Sequence, residues 1–373
     1  MATNRASWLE KRYGELTVGP APYVHPKSNQ ILIENRAVAI NPLDWIIQIA
    51  GGITYRWLKY PVILGSDVSG QVVEVGSGVD DFKVGDRVIG HAVGSDRDAN
   101  CAAEGGFQRY TAVLAKMACP IPDFIPYENA VVLPLGISTA ACALYQKDYL
   151  HLELPSATPR ATGETVLIWG GSSSVGSNAI QLAIASGYKV VTTASPRNFE
   201  YVLSLGASSV YNYRSPTVIE EIADALKDDI LAGAVAIGDS GATSCVKILS
   251  RCSGNKFVAI TTPPISFSYL AESPKSRVKK AEFIALLLGS NVNLWLSAKK
   301  KGVGIKYVFG TSLKNNEVST AIYREYLPQA LLEGRYLAAP PPKIVGEGLE
   351  SIQGALAEAI GGVSAEKVVV KLP

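Results

Sequence analysis

The chain has 373 residues, with 35 Lys and Arg against 33 Asp and Glu for a net charge of +2, and 47% of it is hydrophobic. That length suits two domains or one large one with ample material for a core, and the near-balance of charge gives no electrostatic footprint for nucleic acid. Gly 34 and Pro 21 are near ordinary usage, which excludes collagen-like and low-complexity chains. The five cysteines, Cys101, Cys119, Cys142, Cys245 and Cys252, are odd in number and contain no C-x-x-C pair. A disulfide framework and a Cys-rich zinc site are therefore not expected. The opening MATNRASWLEKRYGE has no apolar stretch of signal-peptide length, and no apolar run reaches about 18 residues. The longest, Ala130–Tyr145, is interrupted by Pro134, Gly136, Ser138 and Thr139. The expectation is a reduced, cytoplasmic protein that acts on a small molecule and partners neither nucleic acid nor membrane.

In chain order, the first region is strand-rich. Ile31–Ile40 and Gly70–Gly76 alternate or run in β-branched residues, and Gly85-Asp86 opens a further strand, GDRVIG. Short strands with Gly turns at this spacing suggest a small barrel-like β domain. From about Glu128 to Gly310 the period changes. Apolar strands are expected at Thr165–Trp169, Lys189–Thr193, Ser209–Tyr211, Ala234–Ile237, Phe257–Ile260 and Ile305–Phe309, separated by helical stretches. That is the pattern of βαβ units around a doubly wound parallel sheet. Beyond it, one helix over Val318–Glu333, ended by Gly334, precedes strands at Lys343–Val345 and Lys367–Lys371. This last piece is too small to stand alone and is expected to rejoin the first region. The predicted division is 1–130 with 313–373 as the substrate domain, and 131–312 as the cofactor domain.

The strongest local motif is the strand Thr165–Trp169, the turn Gly170-Gly171-Ser172-Ser173-Ser174-Val175-Gly176 and a helix-period run that stops at Gly187. Small residues let the backbone approach a pyrophosphate, and the helix N-terminus offers N–H groups and partial positive charge to hold it. Serines replace the inner glycines of the usual fingerprint and can donate hydrogen bonds themselves. At the end of the next strand, about 20 residues on, an NAD site would place a carboxylate on the ribose. This sequence has Ser195, Pro196, Arg197 and Asn198 there. A guanidinium and a hydroxyl suit the 2′-phosphate of NADPH, which a carboxylate would repel.

The order of INPLDW (Ile40–Trp45), PVILGSDVSGQVVEVGSGV (Pro61–Val79), VGDRVIG (Val84–Gly90), GGFQRY (Gly105–Tyr110), LPLGISTAACALY (Leu133–Tyr145), the SSSVG turn and ASPRNFEYVLSLGA (Ala194–Ala207) resembles the medium-chain dehydrogenase/reductase superfamily over essentially the whole chain. Within it the sequence is most similar to the zinc-independent quinone-reductase and enoyl-reductase branch, in particular the trans-acting enoyl reductases of fungal secondary metabolism. The resemblance implies a GroES-like substrate domain, a Rossmann cofactor domain and an active site in the cleft between them. Zinc-dependent relatives place Cys and a His-Glu pair where this chain has Asn41, Ser66 and Asp67, so no metal is expected.

Without a metal to polarise an alcohol oxygen, the remaining chemistry is hydride delivery from NADPH to an already activated acceptor, such as an enone, an enoyl thioester or a quinone. The resemblance implies that Asn41, Asp44 and Trp45 line the nicotinamide end and that Thr139 lies near the carboxamide or the substrate. It implies that Gly171, Ser173, Ser174, Val175 and Gly176 hold the pyrophosphate, that Ser195, Arg197 and Asn198 hold the 2′-phosphate, and that Tyr213 meets the adenosine ribose. Ile260 and Thr261 are expected at the nicotinamide. Many relatives carry a Lys where this chain has Ile46, so no role is carried over for it. Tyr55, in GGITYRWLKYP, matches a region where some enoyl reductases place a proton-donating Tyr and is the candidate acid, with pocket shaping as its alternative and solvent as the competing donor. Pro263–Gly302, with Phe267, Tyr269, Phe283, Leu286, Leu287, Leu288, Leu294 and Trp295, either walls a pocket or forms a helical pair that packs on the domain or on another subunit. The leading function is reduction of a conjugated C=C in a small molecule or a carrier-protein-bound acyl chain. The alternatives are a quinone or carbonyl reductase, or a cofactor-binding pathway protein without net turnover.

Overall fold

The structure, a computed structural model, describes residues 3–373. The chain divides into two compact units, one made of the residues up to Leu135 with Phe267–Ser276 and Tyr323–Pro373, the other of Gly136–Ser266 and Arg277–Ile322. Phe267–Ser276, inside the stretch expected for the cofactor domain, goes with the first unit because Phe267 and Leu270 are buried in a short turn against the helix Pro42–Thr54.

The first unit is built on a mostly antiparallel sheet. Its order is Pro342–Glu347, Lys367–Lys371, Gln30–Ala39, Asp67–Val75, Arg87–His91 and Ala118–Pro120, and Tyr110–Leu114 also pairs with Gln30–Ala39. The chain's C-terminal region thus does return to its N-terminal one. Gln30–Ala39 crosses Asp67–Val75 so closely that a Cβ on Gly70 would lie 2.0 Å from the Glu34 carbonyl oxygen, which leaves only glycine there. Register sets Asp67 opposite both Ala39 and His91, and Val369 opposite Ala39. One end of the sheet therefore gathers Asn41, Asp67 and Lys367 from three distant parts of the sequence. A smaller sheet of Leu16–Ala21, Asn4–Leu9 and Val62–Ile63 completes the β structure of this unit.

The second unit holds a parallel sheet in the order Ser209–Asn212, Lys189–Ala194, Glu164–Trp169, Ile230–Ala236, Phe257–Ile260 and Gly304–Tyr307. Helices cover the sheet, so the strands read as continuous apolar runs: Val166, Leu167 and Ile168 are fully buried. Strand order reverses around Glu164–Trp169, which opens a crevice at its carboxyl end.

Two expectations are corrected and a third is extended. The helix expected over Val318–Glu333 is three segments, Val318–Thr320, a wide π turn over Ala321–Tyr326, and Leu327–Leu332. Pro328 has no N–H to offer the carbonyl four residues back, so the regular ladder does not run through. The Pro263–Gly302 stretch is one 24-residue helix, Arg277–Lys300, preceded by the short turn Phe267–Leu270, and not a helical pair. Finally, two helical stretches among the described residues, Tyr127–Tyr145 and Arg277–Lys300, are long and apolar enough to cross a membrane. A search for uninterrupted apolar runs misses them because scattered Ser, Asn and Gly residues break each run. Tyr127–Tyr145 is mostly buried, as the core helix of a globular unit is.

Candidate functional site

In the second unit, the strand Glu164–Trp169 ends in Gly170 at φ +88°, a left-handed turn that glycine adopts without strain. The turn is bolted to the neighbouring strand: Gly170 N–H donates to Thr193 Oγ1 at 3.0 Å and Gly171 N–H to the Thr193 carbonyl at 2.9 Å. Ser173 then caps the helix Ser174–Ala185, its Oγ accepting from Gly176 N–H at 3.0 Å and donating to the Gly170 carbonyl at 2.8 Å. A Cβ on Gly176 would lie 2.2 Å from the Gly170 oxygen, so helix and turn touch through a glycine. Ser173 was expected among the residues that hold the pyrophosphate; in the structure its hydroxyl bonds within the turn. The first turn of the helix, at Ser174 and Val175, is where a helix directs its N–H groups and partial positive charge.

At the end of the next strand, Ser195 Oγ donates to Tyr213 Oη at 3.4 Å, and the Arg214 guanidinium lies over the Tyr213 ring at 5.4 Å. The Ser195 bond first, then Arg214 and Arg197, hold the Tyr213 phenol below its ordinary value. Four side chains from two strand ends thus converge, and Arg197 is exposed. Arg214 escaped the sequence reading. Its signal was its place directly after Tyr213, past the third strand, where a second cation joins the first. Asn198 turns inward and is buried beneath the short turn Pro196–Asn198.

Thr261 ends the fifth strand, its N–H on the Ala236 carbonyl at 2.9 Å. The Ile260 side chain lies in the core of the sheet, so any ligand contact from that residue falls to its backbone. Thr139, on the helix Pro134–Tyr145, is nearly buried, with the Gly310 backbone packed so close that a Cβ there would sit 2.5 Å from Thr139 Oγ1. A helix start and two arginines near the carboxyl ends of the strands suit the phosphates of a nicotinamide dinucleotide.

The first unit holds a different cluster. Asn41 caps the helix Pro42–Thr54 through a capping box in which Asp44 Oδ2 accepts the Asn41 N–H at 2.8 Å. Asp44 Oδ1 accepts from Gly65 N–H at 3.1 Å. Full burial pushes the Asp44 carboxyl up to about 7, against the pull of its two N–H partners and with the Asp67 charge adding to the rise. Asp67 Oδ2 accepts from Asn41 Nδ2 at 2.9 Å and from the Lys367 ammonium, while Asp67 Oδ1 accepts from Leu135 N–H at 2.6 Å. Lys367 Nζ also donates to the Val132 carbonyl at 3.1 Å. Both partners of the ion pair are buried, a costly arrangement that persists only where every lone pair and proton is matched. Lys367 was absent from the expected site because it lies 300 residues from Asp67.

Trp45 is buried on the same helix, and Tyr55 is its C-cap, with its ring 4.9 Å from that of Trp57. Burial, then the charges of Asp44 and Asp96, raise the Tyr55 phenol, which keeps it protonated at ordinary pH. The three histidines are far apart in role: His25 pairs with Glu74 at 2.7 Å, His91 is buried in the sheet opposite Asp67, and His151 is exposed at φ +53°. Among the described residues no three His, Cys, Asp or Glu side chains gather as a metal site.

Residues 27–123, which carry the Asn41 to Asp67 cluster, match the family model of the alcohol dehydrogenase GroES-like domain. A dehydrogenase of Monascus ruber, pigH, is 46% identical over 374 residues that span the whole of both chains. The chain is a medium-chain dehydrogenase/reductase. The trans-enoyl reductase himH of Aspergillus japonicus is 39% identical over 371 residues, covering 99% of this chain and 97% of that one. The crystal structure of the CurK enoyl reductase overlays with a TM-score of 0.72 at 20% identity, covering 99% of each chain, and shows the common fold. This medium-chain dehydrogenase/reductase is therefore an enoyl-reductase-like oxidoreductase whose fold implies a nicotinamide cofactor.

Proposed function

We propose that the protein is an NADPH-dependent reductase that adds hydride, without a metal, to the conjugated C=C of an enoyl or enone small molecule of secondary metabolism. The observation that carries this reading is the closed network around Asp67. Its two carboxylate oxygens serve Asn41, Lys367 and Leu135, so a metal would have to displace three donors, one of them a cation. An acceptor whose carbonyl already conjugates with the double bond needs no such metal. Relatives named trans-enoyl reductase, at 29% to 39% identity, support the same acceptor class, and a carrier-protein-bound acyl chain is the larger version of it.

NADPH, when bound, supplies the hydride. In this reading the first-turn N–H groups at Ser174 and Val175 bind the pyrophosphate. Ser195, Arg197 and Arg214 bind the 2′-phosphate through charge-assisted hydrogen bonds, and Tyr213 stacks at the ribose. Hydride addition at the β-carbon leaves an enolate that needs a proton at the α-carbon. Tyr55, held protonated by burial, is the donor in this scheme.

The test is oxidation of NADPH, followed by its near-ultraviolet absorbance, with chelator-treated protein and an enoyl thioester, an enone, a quinone and a simple ketone. Turnover of the first two is expected, and Tyr55→Phe should lower kcat about 10²-fold with KM unchanged. Turnover of the quinone or ketone alone would replace the acceptor class. Activity lost on chelation would overturn the metal-free reading, and NADPH binding with no turnover would make the chain a cofactor-binding protein.

A further inference from the structure

Of the large hydrophobic side chains that are exposed, six lie on the helix Arg277–Lys300: Val278, Leu286, Leu288, Val292, Trp295 and Leu296. The helix fixes itself to its own unit through a few inward residues. Phe283, Leu294 and Ala298 are buried, and Tyr307 Oη donates to Asn291 Oδ1 at 2.7 Å. A helix apolar on both sides is normally covered on both, and here the outward side meets solvent.

Three features identify what covers it. From Phe283 to Ala298 the helix carries no charge, while Arg277, Lys279 and Lys280 stand at one end, Lys299, Lys300 and Lys301 at the other, and Glu282 is the lone acid. At 3.6 residues per turn the six exposed side chains spread over roughly half the helix circumference, far wider than the a/d seam that a partner helix would need. Trp295 sits at the basic end, with Lys299 Nζ 5.0 Å from its ring centroid. A second copy of the chain would bring basic ends against basic ends in either orientation.

We infer that this helix lies flat on an anionic phospholipid membrane. Its apolar middle enters the acyl boundary, its terminal lysines meet headgroup phosphates, and Trp295 sits at headgroup level. The helix does not span the bilayer, because its inward side belongs to the core of the unit. This docking is independent of the reductase chemistry, and it replaces the expectation that the chain has no membrane partner.

The test is flotation of the full chain with vesicles of phosphatidylcholine, with and without phosphatidylserine. Binding is expected to be about tenfold or more tighter on the anionic vesicles and to weaken in high salt. Leu288→Ser with Trp295→Ser, both outward-facing, should abolish flotation with cofactor binding unchanged. As a measurement that requires no tolerated polar variant, tryptophan emission should shift to the blue when anionic vesicles are added, and Trp295→Phe should remove the shift. Equal indifference to both vesicle types, or flotation and emission untouched by these variants, would overturn the proposal. So would a wild-type dimer by light scattering that Leu288→Ser with Trp295→Ser dissociates, since the face would then belong to a second copy.

Discussion

The two polar clusters sit at the ends of β strands and are built in opposite ways. Around Asp67 both carboxylate oxygens meet donors inside the protein, and the ion pair with Lys367 is buried. Around Tyr213 the arginine charges are of one sign and exposed, and the phenol itself meets Ser195 through a long hydrogen bond of 3.4 Å. A cluster that satisfies itself holds elements in place, whereas a cluster of like charges left facing outward is completed by something from outside. The first fixes two helix starts, at Asn41 and at Leu135, to two strands; the second has the chemistry of a receptor for an anion.

The largest effect that separates them should come from Lys367→Met. It strands a buried carboxylate, and the expected loss is about 3–5 kcal/mol of unfolding free energy, read from denaturant midpoints. Adding Asp67→Asn, which restores charge balance while keeping an acceptor for Leu135, should recover at least half of that. If the single variant costs nothing, the closed cluster is not structural. Arg197→Ala combined with Arg214→Ala should leave stability within about 0.5 kcal/mol yet raise the KM for NADPH about 10- to 100-fold, the two exposed and solvent-screened charge-assisted bonds together being worth about 1.5–3 kcal/mol. Turnover with NADH should be unaffected. An equal loss with both cofactors would show that the arginines do not read a phosphate.

Gly176→Ala sharpens the contrast within one unit, since its new methyl would press on the Gly170 carbonyl. A stability loss of about 1–3 kcal/mol and weaker binding of NADPH and NADH alike are expected. Asp44 is read through pH instead. Its folded value of about 7 lies above the unfolded value of about 3.9, so between those two the native state binds more protons than the unfolded chain. Stability on its account should therefore fall as pH rises from about 4 to about 7 and level off above. Asp44→Asn should flatten that slope in a series of thermal melts, and an unchanged slope would assign it to another group.

Legibility from sequence follows the same division. The turn at Gly170–Gly176 and the strands around it were readable because each is set by residues within a few positions of one another, and a local period survives in a linear text. The place of Ser195 and Arg197 just past the second strand was readable by their offset from the glycines. Arg214 was not, because it needs the parallel pairing of Ser209–Asn212 with Lys189–Ala194 to reach Tyr213's company. Lys367 was unreadable for a stronger version of that reason: its strand was expected, but nothing nearby in sequence says which carboxylate it faces. The capping role of Ser173 was hidden by a hydroxyl that suits a phosphate and a helix N-terminus equally well. In the Pro263–Gly302 stretch, apolar content was visible, but whether Leu288 and Trp295 face the core or the solvent depended on where Phe283 and Leu294 dock.

The span between Asp67 and Lys367, 300 residues, also orders events in time. While the polypeptide is being made, the first unit's central strands emerge long before the cation that neutralises their carboxylate. Until synthesis has passed residue 367, Asp67 faces a half-built interior with no counter-ion, and the start of the helix at Leu135 is held by a charge that still favours water. The nucleotide-binding unit, whose strands are complete by Tyr307, is ready earlier. A ribosome that stops short of Lys367 would release a chain with one finished half and one that cannot close.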